Sequence, residues 1–150
     1  MRTTLQTFLK TGRLKEHPTD PAEIAQLLAG AERNLADAGA SGISTETRFH
    51  AAYLAITQTA LAALRAHGFR PDTRRPGHHV TILQTLRPTI GLDPPRIAVL
   101  DVLRRKRNET DYTGMDMDEA SVAVCIDEAR RLLVDVQSWL RANRSQSNPT

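Results

Sequence analysis

The sequence predicts an all-α fold: an up-and-down antiparallel bundle of four to five main helices with a short N-terminal helix before it. Three observations predict it. Apolar residues recur at three- and four-residue intervals through most of the chain, capping residues stand where those stripes begin, and glycines stand where they end. No segment alternates apolar and polar residues with the β-branched enrichment of strands, and no internal repeat is visible. At 150 residues the chain has the size of one domain and is long enough to bury a core without disulfides or metals.

Leu5, Phe8, Leu9 and Leu14 predict a short amphipathic helix that Pro18 ends at the latest. The second helix has a clear start, with Asp20 as N-cap, Pro21 at the first helical position and Glu23 placed to complete a capping box. Ile24, Leu27, Leu28, Ala31 and Leu35 gather its apolar face, Gly30 weakens it slightly, and Gly39 and Gly42 mark its end. Ser44 caps the third helix, whose predicted stripe of Ala51, Leu54, Ala55, Gln58, Leu61, Ala62 and Leu64 runs until Gly68. From Phe69 to Gly77 the composition turns to Pro, Gly, Arg and Asp, which reads as a basic surface loop.

A fourth helix is predicted from His78 to Ile90, stopped by Gly91. Asp93 with Pro94 and Pro95 opens the fifth, which carries Ile97, Leu100 and Leu103 and ends near Tyr112 before Gly114. Asp116 or Asp118 caps the sixth, with the stripe Val122, Ile126, Ala129, Leu133, Val136 and Leu140 ending near Trp139. The expected division is an N-terminal accessory helix over 1–18, a helical bundle over 19–142 and a polar, disordered tail over 143–150.

Composition bounds the function. The formal charge is +3, from 20 bases against 17 acids, and this modest excess favours an acidic partner without naming one. Aromatic residues are few and lack the spacing of a base-stacking sheet. The one cysteine, Cys125, excludes an intrachain disulfide and reads as packing in a helix. Residues Met1 to Lys15 lack the apolar run of a secretory leader, and no later stretch reaches the length of a membrane span, so a cytosolic protein is expected.

The sharpest local feature is Arg104-Arg105-Lys106-Arg107-Asn108-Glu109-Thr110-Asp111-Tyr112. Stepping by helical intervals from Ile97 through Leu100 and Leu103 reaches Arg107, which places its guanidinium at the edge of the core or in a cleft, where it needs an anion or acceptors. Asn108 and Tyr112 are four apart and share the next strip of surface. The plainer reading of Arg104, Arg105, Lys106 and Arg107 is a solvated face paired with acids such as Asp111 or Asp127. His78 and His79, with Arg70, Arg74 and Arg75 in the loop before them, can add phosphate-binding groups if helix four lies beside helix five; otherwise one histidine caps the helix and the other is solvated. Arg48, His50 and Tyr53 either line a cleft or form a polar network fixing helix register, and Tyr53 is expected in the core with its hydroxyl satisfied. Neither the histidine spacing nor the carboxylate neighbours make a metal site, and no metal or cofactor is assigned.

The chain resembles the HEPN superfamily, small helical bundles marked by an arginine, commonly a polar residue after it, and a histidine some positions on. Arg107-Asn108-Glu109-Thr110-Asp111-Tyr112 has that arrangement with tyrosine in the histidine slot, as in actinobacterial HEPN proteins it looks most like. The resemblance spans about Pro21 to Arg141 and includes Glu46-Thr47-Arg48-Phe49-His50-Ala51-Ala52-Tyr53 and Gly77-His78-His79. It implies a homodimer that binds RNA or a nucleotide, with Arg107, Asn108 and Tyr112 as the motif of a metal-independent ribonuclease in a toxin–antitoxin or defence system. It also implies an alternative, a non-catalytic module paired with a nucleotidyltransferase-type antitoxin that modifies a motif tyrosine. A phenol is a poor base at neutral pH, so in the first case Tyr112 acts as an acid or orienter, or another group supplies the base.

Overall fold

The computed structural model describes residues 4–114 and 116–143, so most of the polar tail expected over 143–150 lies outside the described residues. Seven helical segments and one pair of short strands follow in the order α1 (Leu5–Lys10), β1 (Leu14–Glu16), α2 (Pro21–Ala38), α3 (Thr45–Ala66), β2 (Phe69–Pro71), α4 (His78–Gln84), α5 (Leu86–Ile90), α6 (Pro94–Thr113) and α7 (Glu119–Ala142). The class is all-α, as the apolar periodicity predicts.

The start and stop signals act as read. The Asp20 carboxylate accepts from the Ala22 N–H with Pro21 at the first position of α2, Ser44 Oγ accepts from the Thr47 N–H, and the Asp118 carboxylate, rather than Asp116, accepts from the Ser121 N–H. Gly91 and Gly114 end α5 and α6 at φ of +71° and +69°, a left-handed turn that residues with a Cβ seldom adopt. Glu23 departs from its expected role: its carboxylate is drawn to His17 Nε2 at 2.8 Å and Arg65 Nη1 at 3.1 Å, so it ties α2 to α3 rather than closing a capping box.

Helix α3 is the axis of the molecule. Phe49, Ala52, Tyr53, Ala55, Ile56, Thr59, Ala60, Ala62, Ala63 and Leu64 are all buried, and such burial around most of its circumference requires neighbours on several sides. It packs most extensively on α2 and α7, while α4, α5 and α6 cover a further side. Asn34 bonds Gln58 and Arg48 bonds the Ala38 carbonyl, so α2 runs antiparallel to α3. Arg48 with Glu119 and His67 stacked on Trp139 show that α3 and α7 run parallel, which the long connection through α4, α5 and α6 allows. Small residues let these axes approach. A Cβ on Gly30 would lie 2.9 Å from Gln58 Nε2, so this glycine gives room at the α2–α3 contact.

Three expectations are corrected. The stripe assigned to α3 is rotated: Leu54 is 46% exposed, and Ile56 is fully buried in its place. The fourth helix is interrupted at Thr85, because Pro88 has no N–H to offer the Gln84 carbonyl and the Thr85 hydroxyl turns back to the Ile82 carbonyl at 2.7 Å. Leu14 belongs to β1, not to the first helix, and the loop after Gly68 begins with β2, paired antiparallel with Leu14 opposite Pro71 and Glu16 opposite Phe69. The accessory segment is thereby fastened to the bundle, with Phe8, Leu14 and Leu64 forming a second small apolar cluster. The Tyr53 ring is in the core, as expected, and its hydroxyl is not one of the buried polar atoms left without a hydrogen bond among the described residues.

Cys125 is a core side chain whose thiol burial pushes up to about 12, so it is an inert packing group. Among the described residues no helix is long and apolar enough to cross a membrane. The rotated α3 face has a direct check by urea denaturation. Ile56→Ala is expected to cost about 2–5 kcal/mol and Leu54→Ala no more than about 0.5 kcal/mol; equal losses would reject the assigned face.

Candidate functional site

The end of α6 faces the start of α3, and that meeting brings Arg107 to His50. Arg107 Nε donates to His50 Nδ1 at 3.4 Å, and on the other side of the imidazole His50 Nε2 meets Asp111 Oδ1 at 2.9 Å. Since Nδ1 accepts, the network assigns the ring proton to Nε2, which donates to the carboxylate. Helical geometry explains the constellation: Arg107 and Asp111 are one turn apart on α6 and flank the ring that α3 inserts between them. The guanidinium also lies over the buried Tyr53 ring, 5.4 Å from its centroid. Burial pushes the Tyr53 phenol up to about 12 against the opposing pull of Arg104 and Arg107, so the ring stays neutral beneath the cation.

His50, Arg107 and Asp111 line a cavity of about 40 Å³ together with Glu46, Phe49, Thr110 and Met117. It has room for about one water-sized group and is too small for a nucleoside. Beside it, a second hollow of about 190 Å³ shares Thr110 and Met117 and is edged by Glu109, Asp116 and Asp118 against the single cation Lys106. Its carboxylates make it unsuited to phosphate. Across this boundary the carboxyl groups of Glu46 and Asp116 meet. Hydrogen bonding from the backbone and from Asp116 holds Glu46 below the usual carboxylate range, and the Glu46 contact raises Asp116.

The basic run is thus divided. Arg104 Nε binds Asp101 at 2.8 Å, Arg105 binds the other oxygen of Asp101 at 3.1 Å, and Lys106 reaches Asp118 at 3.5 Å. Among the described residues Arg107 alone of the four has no carboxylate ion pair. Asn108 and Tyr112 occupy the next strip of α6, and Tyr112 is 91% exposed. Five residues turn a helix by about 140° beyond a full turn, so Tyr112 does not line the Arg107 cavity and Asp111 does.

The loop cations are occupied as well. Arg74 is held by Asp72, whose carboxylate the Arg74 side chain and N–H keep below its ordinary range, and Arg75 Nη2 binds the Thr11 carbonyl at 2.7 Å. They fasten the loop to itself and to α1, so they do not join Arg107. Helix α4 does pack on α6, as the sequence reading required for the histidines to matter. The His78 and His79 rings lie 4.0 Å apart, and burial first, then His78, Arg107 and Arg104, hold the His79 imidazole below its ordinary value. Arg48 is structural, clamping the Ala38 carbonyl at 2.8 Å and Glu119 at 3.1 Å. What sequence reasoning missed is the trio of His50, Arg107 and Asp111; the available signal was the i,i+4 spacing of Arg107 and Asp111 opposite a polar position on α3. Among the described residues no group of histidine, cysteine, aspartate and glutamate has a metal-binding arrangement.

Comparison with protein-family models, curated proteins and solved structures finds no match to this chain.

The assigned tautomer is testable by ¹⁵N NMR of the imidazoles. In its neutral form the His50 ring is expected to carry its proton on Nε2; a proton on Nδ1 would rule out the Arg107 contact and dissolve the constellation.

Proposed function

We propose that the chain is a HEPN-type RNA-binding protein that acts as a metal-independent ribonuclease of a bacterial toxin–antitoxin or defence system, working as a homodimer. The observation that carries this reading is the imidazole of His50 against Arg107 and Asp111. It supplies through space the group that the motif, with tyrosine in the histidine slot, leaves out in sequence. The resemblance at Arg107-Asn108 and the all-α bundle are its other supports.

In the proposed reaction a ribose 2′-hydroxyl enters beside His50 Nδ1 and displaces the long contact to Arg107. Nδ1 takes the hydroxyl proton as the 2′-oxygen attacks phosphorus, while Asp111 holds the Nε2–H and steadies the imidazolium. Protonated Nδ1 and the guanidinium are then two donors facing each other, which favours Arg107 turning to the phosphoryl oxygens, where negative charge grows. The bond to the 5′-oxygen breaks, that oxygen takes a proton from a solvent water, and the imidazolium returns its own proton to solvent, leaving a 2′,3′-cyclic phosphate, a 5′-hydroxyl end and a neutral imidazole. The small cavity admits only the reacting oxygen, so the strand lies across its mouth and continues over the next strip of α6, where Asn108 offers an amide and the exposed Tyr112 ring a surface for stacking a base. A second copy facing that mouth supplies the opposite wall.

The 91% exposure of Tyr112 favours a second reading, in which the module does not cleave and the phenol receives a nucleotidyl group from a nucleotidyltransferase-type partner. One comparison separates the two. RNA cleavage in EDTA is expected to fall by about 10²–10⁴-fold in Arg107→Ala and His50→Ala and to stay near wild type in Tyr112→Phe, which keeps the ring. Equal activity in wild type and all three variants removes the cleavage mechanism. Absence of cleavage in wild type, with a nucleotide's mass on Tyr112 in protein from its native host, selects the second reading.

A further inference from the structure

Another cavity lies far from Arg107, where α1 and the turn into β1 close over α4, α5 and the start of α6. Its volume is about 340 Å³, within the range of about 300–1,000 Å³ typical of small-molecule sites. Phe8, Pro88, Pro94 and Ile97 give it apolar walls. Its polar lining is Arg13, Gln84 and Arg87, with no carboxylate.

Both guanidiniums retain unused donors. Arg13 lies over the Phe8 ring at 4.4 Å from its centroid, gives Nε to the Thr11 hydroxyl at 3.2 Å, and reaches Gln84 Oε1 with Nη1 only at 3.5 Å. Arg87 Nη1 reaches the Leu92 and Gly91 carbonyls at 3.4 and 3.5 Å, and the exposed Asp93 carboxylate at 4.0 Å. Arg13 Nη2 and Arg87 Nε and Nη2 therefore have no protein partner among the described residues. Two cations over an apolar, proline- and phenylalanine-lined floor call for an anion that carries a flat apolar body. A cation is repelled there, and a neutral hydrocarbon leaves both guanidiniums without a counter-charge.

We propose that this cavity is a binding site for a small organic anion, an aryl carboxylate or aryl phosphate, whose head group is held by Arg13 and Arg87 and whose ring packs on Phe8, Pro88, Pro94 and Ile97. The site shares no lining residue with the Arg107 cavity, and Ile97 and Arg107 are about 15 Å apart along α6, so it stands independently of the ribonuclease reading.

The test is a ¹H–¹⁵N NMR titration of the full chain with phenyl phosphate and with benzoate, beside inorganic phosphate and benzyl alcohol as the two halves of the ligand. Saturable shifts centred on the Phe8, Gln84 and Ile97 amides are expected for at least one aryl anion, with each half-ligand at least about tenfold weaker. If phenyl phosphate binds and benzoate does not, the natural head group is a phosphate; the reverse assigns a carboxylate. Arg13→Gln is expected to weaken the bound anion about tenfold, the loss of roughly one charge-assisted hydrogen bond. Arg87→Lys keeps the charge where Arg87→Gln would also disturb the Gly91 turn, and its binding is expected to fall between wild type and Arg13→Gln. Shifts centred elsewhere, no shifts with either aryl anion, benzyl alcohol binding as tightly as the anions, or undiminished affinity in Arg13→Gln would each overturn the proposal; the wild-type map decides even if a variant fails to fold.

Discussion

The burial of α3 is the constraint on which the other elements depend. Alanines at 52, 55, 60, 62 and 63 leave its surface shallow, so neighbouring helices come close and gain contact area that larger side chains would hold apart. The cost is that few positions on α3 remain for polar groups, and those few fall at the seams between its neighbours. Arg48 points into the seam with α2 and α7, Gln58 and Arg65 into that with α2, and His50 into that with α6. The position of the candidate site is a result of this packing: an imidazole on a helix buried around most of its circumference can only emerge where two helices diverge.

Charge is spent locally in this protein, which is why the net excess says little about its surface. Arg104, Arg105 and Lys106 are matched to Asp101 and Asp118, Arg74 to Asp72, and Arg48 to Glu119. Many of these pairs are partly exposed and contribute little to stability individually, but each removes a cation from any phosphate-binding surface. Arg107, Arg13 and Arg87 differ because their main contacts are an imidazole, a hydroxyl, a side-chain amide or carbonyls rather than a close carboxylate. Such contacts leave the formal charge in place, so an incoming anion does not first have to displace an acid.

Signals that act over one turn were legible in the sequence. Asp20 with Pro21, Ser44, Asp93 with Pro94, and the glycines at 91 and 114 set helix ends through local backbone chemistry, which needs no knowledge of the partner helix. Signals that depend on a partner were not. Leu54 and Ile56 both fit an apolar stripe, and only the placement of α2 and α7 decides which is buried. Glu23 fits a capping box until His17 and Arg65 arrive from distant parts of the chain. The strands are three residues each, too short for alternation to register, and their pairing joins residues far apart in sequence. For the site, helical stepping located Arg107 at the core edge and Tyr112 on the next strip, but it did not bring Asp111 and the His50 of α3 together at the same cavity.

The geometry at Arg107 also depends on how α6 is held. Leu100 and Leu103 are its buried residues, so its apolar grip is concentrated near the middle. Ion pairs with α7 stand on either side of that grip: Lys106 reaches Asp118 on one side, and on the other Arg96 sits between Asp135 and Glu128. Glu128 is buried and is engaged by Arg131 as well, yet its second oxygen and two Arg96 nitrogens have no hydrogen bond among the described residues. Losing one partner of a buried ion pair costs about 3–5 kcal/mol, because the charge left behind stays desolvated. The long 3.4 Å contact between Arg107 and His50 lies one residue beyond the Lys106–Asp118 pair, so the hold of α7 on α6 helps to set the distance between guanidinium and imidazole.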